Sequence, residues 1–256
     1  MSLIKKNEIF LLGVIVKKNF SSKYKDSVLG IFWTILRPLL LMLLFTIIFS
    51  TIFKKSIENF QVYFLSGWCM FMFFSSTITA SMNSLKANKN ILLKTPVPRY
   101  IFILGSVISE FLNFLITMIL LAGVMIVTQA PLYWELLPIS IMSIVSLEIM
   151  MTGLGLILSV ACVYYTDIQH LWSVMSMMLM YGTCIFYPIS IIPEPFNQYL
   201  MLNPLLWAVE QFRSSVFYGT APQMLNVVNL LLLSVIILVV GMIIFKKYEM
   251  KISMRF

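Results

Sequence analysis

Three charged side chains interrupt long apolar runs in this chain: Arg37, Glu110 and Glu148. An ionised group within a bilayer-length run is costly, so it pairs, lines a polar cavity or takes part in transport. Arg37 precedes Pro38, and a proline inside a helix removes an amide donor and favours a kink. Arg37 is therefore expected to face protein or a polar cavity. Glu110 falls near the start of its run and Glu148 near mid-run. Both carboxylates have two readings: a polar lining or proton site, or a structural partner for another helix, with Arg37 at similar depth.

Other reactive residue types are sparse. His170 is the single histidine, and Cys69, Cys162 and Cys184 stand in apolar surroundings without metal-ligand spacing. No catalytic or metal constellation is expected, and the cysteines read as small core residues. There is no glycine-rich phosphate loop, so the chain is not expected to hydrolyse a nucleotide by that route. Aromatic residues are dense. Aromatic belts and core packing account for most of them. Phe32-Trp33 and Phe186-Tyr187 each sit beside a charge or a proline break, which makes them the better candidates for a saccharide path.

The elements that must position these groups are helices in a membrane. Of 256 residues, 60% are hydrophobic and only 11% charged, and mean hydropathy is +0.95. A soluble domain carries about 25% charged residues. The apolar runs are continuous rather than alternating, which argues against a β-barrel. An all-α polytopic membrane protein of one domain, 1–256, is expected. Its six spans fall at 30–53, 61–82, 101–128, 136–163, 169–187 and 225–245.

Three further segments complete this plan. Residues 1–28 read as an amphipathic interfacial helix, with Ile9, Leu12, Val16, Phe20 and Tyr24 on one face, although Leu11 and Ile15 spoil the split. Its lysines, Lys17, Lys18, Lys23 and Lys25, are placed to meet anionic headgroups. The alternative is a basic tail that only sets topology. No cleavable signal is expected there. Residues 83–100 form a basic loop with a Pro96-Val97-Pro98 break. Pro188, Pro193, Pro195 and Pro204 divide 188–224 into pieces too short to span yet still apolar, which suggests re-entrant or interfacial helices. Gly153, Gly155 and Ser159 should permit close helix contact.

The net charge of +8 is not a nucleic-acid footprint, because the bases flank apolar runs. Seven Lys or Arg lie up to Arg37, four within 83–100 and four in the tail, so 15 of 18 share one side and Lys54, Lys55 and Arg213 the other. Both termini are therefore expected in the cytoplasm. No internal repeat is visible, which favours one half of a dimer over a carrier built from inverted halves.

The segment KYKDSVLGIFWTILRPLL resembles the first-span signature of ABC exporter permeases for lipid-linked polysaccharides. KTPVPRY, SEFLNF, YYTDI, YPISIIPEPF and LNPLLWAVEQFRSSVFYG follow in the same order. O-antigen, teichoic acid and cell-wall rhamnan permeases share this set. The resemblance implies a homodimer in the bacterial inner membrane, two cytoplasmic ABC ATPase subunits that bind ATP and Mg2+, no cofactor in this chain, and no nucleic acid. It implies a channel lined by the first and fifth spans, with Trp33, Arg37, Tyr181 and Tyr187 near the sugar. It makes 83–100 the coupling loop, with Lys86, Lys89, Lys94 and Arg99 near the ATPase, and 188–224 the outer gate region. Asp167 takes the acidic place in the second cytoplasmic loop, where Thr166 stands in place of an arginine common in the family. Independently of the resemblance, a basic, proline-limited amphipathic piece at 83–100 could dock in a groove of a partner with Ile91, Leu92 and Leu93 inward; the plainer reading is a topology loop. A membrane transferase acting on a lipid-linked sugar and a proton-coupled carrier using Glu110 and Glu148 are the alternatives.

Overall fold

The computed structural model describes residues 6–25, 27–52, 59–95 and 97–255. Lys54, Lys55 and Pro96 lie outside the described residues. Among those described, every regular element is helical.

In chain order the helices are α1 (Lys6–Tyr24), α2 (Phe32–Ile52), α3 (Phe60–Ala87), α4 (Lys89–Lys94) and α5 (Tyr100–Val127). They are followed by α6 (Leu137–Tyr164), α7 (Ile168–Gly182), α8 (Phe196–Leu200), α9 (Pro204–Arg213) and α10 (Met224–Arg255). Five stretches are long and apolar enough to cross a membrane: Phe32–Phe49, Phe60–Ala87, Tyr100–Val127, Trp134–Tyr164 and Met224–Glu249. The run expected as a fifth crossing at 169–187 is instead the shorter α7, 15 residues long. It ends at a turn in which Cys184 takes φ 52°, a left-handed conformation that few side chains adopt.

Side-chain contacts fix the directions. Phe45 and Phe49 of α2 meet Phe64 and Phe60 of α3, so these helices are antiparallel. Phe73 of α3 stacks on Phe114 of α5, with ring centroids 4.3 Å apart, while Cys69 reaches the Thr117 carbonyl, again antiparallel. Ser75 of α3 bonds Ser176 of α7 at 2.7 Å, and Thr79 accepts the Trp172 indole N–H at 2.9 Å. Thus α7 runs opposite to α3 and keeps the alternating sense despite its length. α3 is the most buried helix of the bundle, and its aromatic and small side chains form the centre of the main core.

Small residues set the closest approaches. A Cβ on Gly153 of α6 would lie 2.7 Å from the backbone of Ile237 and Leu238, and one on Gly241 of α10 would lie 2.5 Å from the Gly153 carbonyl. The α6–α10 crossing therefore depends on backbone contact, as in other small-residue interfaces of membrane helices. A Cβ on Gly155 would lie 2.7 Å from the Ser81 side chain of α3, and Ser159 is buried.

Two expected segments differ in form. The loop expected over 83–100 is largely helical, because α3 continues to Ala87. Asn83 and Ser84 donate back to the carbonyls of Thr79 and Ser81, 3.0 and 2.7 Å away. α4 then places Leu92 in a second core with Leu85, Ile101, Phe102 and Ile252, leaving Ile91 and Leu93 exposed. Leu92 is therefore unavailable for the docking face expected of all three residues.

α1 runs beside the first half of α5 and in the same direction. Glu8 meets Tyr100, Asn19 meets Ser106 and Tyr24 meets Asn113. Those α5 contacts span about 20 Å at the helical rise. Ile15 is the buried residue of α1 and sits against Gly105, with Leu11 and Leu12 beside it. Leu11 and Ile15, which spoil the expected amphipathic split, are thus residues that pack, whereas Ile9 is exposed. The seat at Gly105 decides which face turns inward.

Candidate functional site

α1 ends where α2 begins, and the turn between them builds one wall of a cavity. Gly30 adopts φ 47° there, and its amide bonds the Ser27 hydroxyl at 3.1 Å. A side chain would strain this backbone. The turn brings Lys23 and Tyr24 beside Trp33, Thr34 and Arg37. Opposite stand Trp68 and Met72 of α3 and Glu110, Asn113 and Phe114 of α5, enclosing about 270 Å³.

Five of the polar side chains in this cavity form one network. Lys23 Nζ lies 2.9 and 3.1 Å from the Glu110 carboxylate oxygens. Asn113 Nδ2 donates to Glu110 Oε2 at 3.2 Å, its place three residues later putting both on one face of α5. Tyr24 donates its single phenolic proton to Asn113 Oδ1, so in its 2.7 Å contact with Thr34 the threonine hydroxyl donates. Thr34, Tyr24, Asn113, Glu110 and Lys23 therefore tie α2, α1 and α5 together.

Glu110 pairs with Lys23, not with Arg37 as considered from the sequence. Arg37 borders the same cavity, is exposed, and makes no ion pair with a described residue. Pro38 behind it is buried, and α2 continues through it from Phe32 to Ile52. With the Lys23–Glu110 charges compensated, the guanidinium of Arg37 leaves the cavity net positive. A planar, always-charged fork suits phosphate or carboxylate oxygens. A second, more polar cavity of about 330 Å³ lies behind the ion pair, bounded by Asn19, Asn83, Asn88, Ser106 and Ser109. Lys23 and Glu110 border both spaces, so the ion pair is their shared wall.

The other expected site residues are dispersed. Lys18 donates to Asn88 Oδ1 at 2.8 Å. Lys17 flanks a shallow apolar groove between α1 and α5, and Lys25 is exposed. Phe32 is exposed. Tyr181 is exposed on α7, whereas Phe186 is buried 4.9 Å from Phe45 and 5.8 Å from Tyr181, measured between ring centroids. Tyr187 donates its hydroxyl to the Tyr181 carbonyl at 2.6 Å. These three aromatics do not border the Arg37 cavity. Lys86 is half-buried, Lys89 and Lys94 are exposed on α4, and Arg99 approaches Glu249 at 3.9 Å. Asp167 is exposed at the start of α7. Glu148 is half-buried on α6, and its carboxylate makes no ion pair with a described residue.

A second constellation lies at the opposite end of α3 and was counted from sequence only as an outward charge. Arg213 is fully buried. It donates to Glu210 Oε1 at 2.8 Å, to the Cys184 carbonyl at 3.2 Å and to the Tyr63 carbonyl at 3.1 Å. Its guanidinium carbon lies 3.7 Å from the centre of the Tyr63 ring. The single Tyr63 hydroxyl proton is in turn shared between the carbonyls of Cys184 and Tyr187, 2.7 and 2.8 Å away. This knot ties α9 and the turn after α7 to α3. The one sequence signal for it is Glu210 three residues before Arg213.

With this geometry in place, likeness to known proteins is informative. Residues 11–217 match the family model described as ABC-2 type transporter. The chain is 30% identical to the O-antigen export system permease protein RfbA of Klebsiella pneumoniae, over 95% of this chain and 93% of that protein. It is 28% identical to the polysialic acid transport protein KpsM of Escherichia coli, over 86% of each. It is 20% identical to the capsule polysaccharide export inner-membrane protein CtrC of Neisseria meningitidis serogroup A, over 93% and 91%. An all-helical chain with five membrane-length stretches, matched over most of its length by this family, is a membrane protein that belongs to the ABC-2 type transporter family.

Proposed function

We propose that this chain is the membrane-spanning subunit of an ATP-driven exporter that moves a lipid-linked polysaccharide out of the cytoplasm. The observation that carries this reading is the near full-length likeness to permeases named for O-antigen and polysaccharide export. The positive cavity at Arg37 fits it, because a lipid-linked glycan presents an anionic phosphate group. In this reading Lys17, Lys18, Lys23 and Lys25 lie at the inner membrane surface, where the headgroup arrives. Arg37 is the first fixed charge it meets inside, and Trp33 borders its route.

The remaining assignments belong to the same proposal. The protein sits in the bacterial inner membrane as a homodimer, both termini cytoplasmic, and two ABC ATPase subunits supply ATP hydrolysis. α7 with the turn after it makes the fifth of six crossings. α4 and its lysines, with Arg99 and Asp167, face the ATPase, and 188–224 forms the outer gate region.

The test is complementation. Cells deleted for the permease gene and supplied with this chain and its ATPase should regain surface polysaccharide, and an ATPase variant unable to hydrolyse ATP should abolish it. Export that persists without hydrolysis would instead favour a proton-coupled carrier, and Glu148→Gln should then slow it.

A further inference from the structure

We infer that the cavity between α9 and the start of α10 is a binding subsite for an uncharged, hydroxyl-rich glycan on the outward end of the molecule. This rests on the export reading and adds where, and with what selectivity, the polymer is held as it leaves.

The cavity has a volume of about 560 Å³. It lies at the end of the bundle opposite α4, where α9 and the first turns of α10 meet. Trp207, Glu210 and Gln211 border it from α9, and Gln223, Asn226 and Asn229 from the α10 side. An aromatic face among amides and one carboxylate provides stacking area together with donors and acceptors for hydroxyl groups.

Two observations distinguish it from a water-filled crevice. Gln211 is 4% exposed, and its Oε1 has no hydrogen-bond partner among the described residues, while its Nε2 is held by the Asn226 carbonyl at 3.0 Å. A buried acceptor left unpaired is costly, and a hydroxyl donor from a ligand would satisfy it. The aromatic wall is also held in place: the Trp207 indole donates to the Met201 carbonyl at 2.7 Å. Glu210 is oriented by Arg213 through Oε1, which leaves its other oxygen free to accept. The α9 wall is thus preorganised, so little ordering is required when a ligand arrives.

Charge sets the selectivity. No lysine or arginine borders the cavity, and Glu210 is its one ionisable residue. A chain of acidic sugars would find no cation to pair with, because Arg213 is fully buried and already committed to Glu210; uncharged sugars need none.

The test uses the full chain with its ATPase in cells that depend on it for surface polysaccharide. A photo-reactive benzoylphenylalanine replaces Asn229, an exposed position, and the same residue at exposed Ile243 serves as the control. Irradiation during export should yield a periodate-reactive glycan adduct at position 229 and none at 243. Absence of the adduct in cells that export normally, or an adduct containing lipid but no sugar, would overturn the inference. Cells whose unsubstituted chain exports no glycan would instead overturn the export reading. In a second arm, Asn226→Leu with Asn229→Leu should lower export about fivefold, the equivalent of roughly one net hydrogen bond. Membrane level and partner ATPase rate should be unchanged. Wild-type export by this variant would also overturn the subsite.

Discussion

The two glutamate-centred ion pairs that bracket α3 are built from similar parts and arranged for different tasks. In the Lys23–Glu110 pair the lysine side chain is 44% exposed and the carboxylate 11%. The pair separates two cavities, and only side chains contact it. In the Arg213–Glu210 pair the arginine is 0% exposed and the carboxylate 35%. There the cation also holds backbone carbonyls from two other segments. A lysine head that can swing away suits a place where ligands pass. A guanidinium fork committed to several acceptors suits a place where chain segments must be held.

Removing the fork should produce the largest effect. Arg213→Met strips the Glu210 carboxylate of its cation and removes one donor each from the Tyr63 and Cys184 carbonyls, and breaking a buried pair on one side costs about 3–5 kcal/mol. The expected result is a much lower yield of folded protein and a lower unfolding temperature in detergent. Arg213→Lys should recover little, because an ammonium cannot reproduce the planar fork. Recovery to wild-type stability by lysine would show that charge alone holds the knot.

Tyr63→Phe tests the same region more gently. It keeps the ring under Arg213 and removes the hydroxyl that bonds the Cys184 and Tyr187 carbonyls. A loss of about 1–2 kcal/mol is expected, since the Tyr187 carbonyl loses this donor and the Cys184 carbonyl keeps only its bond from Arg213. Thermal unfolding measures it, and limited proteolysis near residues 184–195 should quicken in parallel. Unchanged proteolysis would mean that Arg213 alone holds the turn.

Much of this architecture was legible in sequence. The five long stretches follow from continuous hydropathy, and the close contacts of Gly153 and Gly155 follow from residue size. Arg37 and Glu110 stand out as charges within apolar runs, and Lys23 as one of the lysines that precede the first. Their partners do not, because 87 residues separate Lys23 from Glu110. Only the turn at Gly30, which folds α1 beside α5, brings them together. The end of α7 was hidden for a similar reason: hydropathy stays high through Phe186, while the chain is turned by a left-handed Cys184 that composition does not signal. Arg213 was obscured by its own type. An arginine near a predicted outer boundary reads as a topology marker, and its burial depends on the space left above Gly67, where a Cβ would lie 2.3 Å from the guanidinium.

The exposed pair should respond to the same kind of test in the opposite way, with a small change in stability and a clear change in transport. Lys23→Ala should cost about 1–2 kcal/mol in unfolding, because the lysine is well exposed and the Glu110 carboxylate it leaves keeps its bond from Asn113. Export should nevertheless slow, because Glu110 then faces the Arg37 cavity uncompensated and repels an anionic headgroup. Lys23→Glu combined with Glu110→Lys should restore the pair and return export toward the wild-type rate. Arg37→Ala, which breaks no ion pair with a described residue, should leave stability unchanged and lower export alone. If Lys23→Ala instead destabilises as severely as Arg213→Met, the two ends of α3 serve the same holding role and the contrast between them disappears. If Arg37→Ala exports normally at equal membrane level, Arg37 is structural and the positive charge of the cavity has no part in capturing the headgroup.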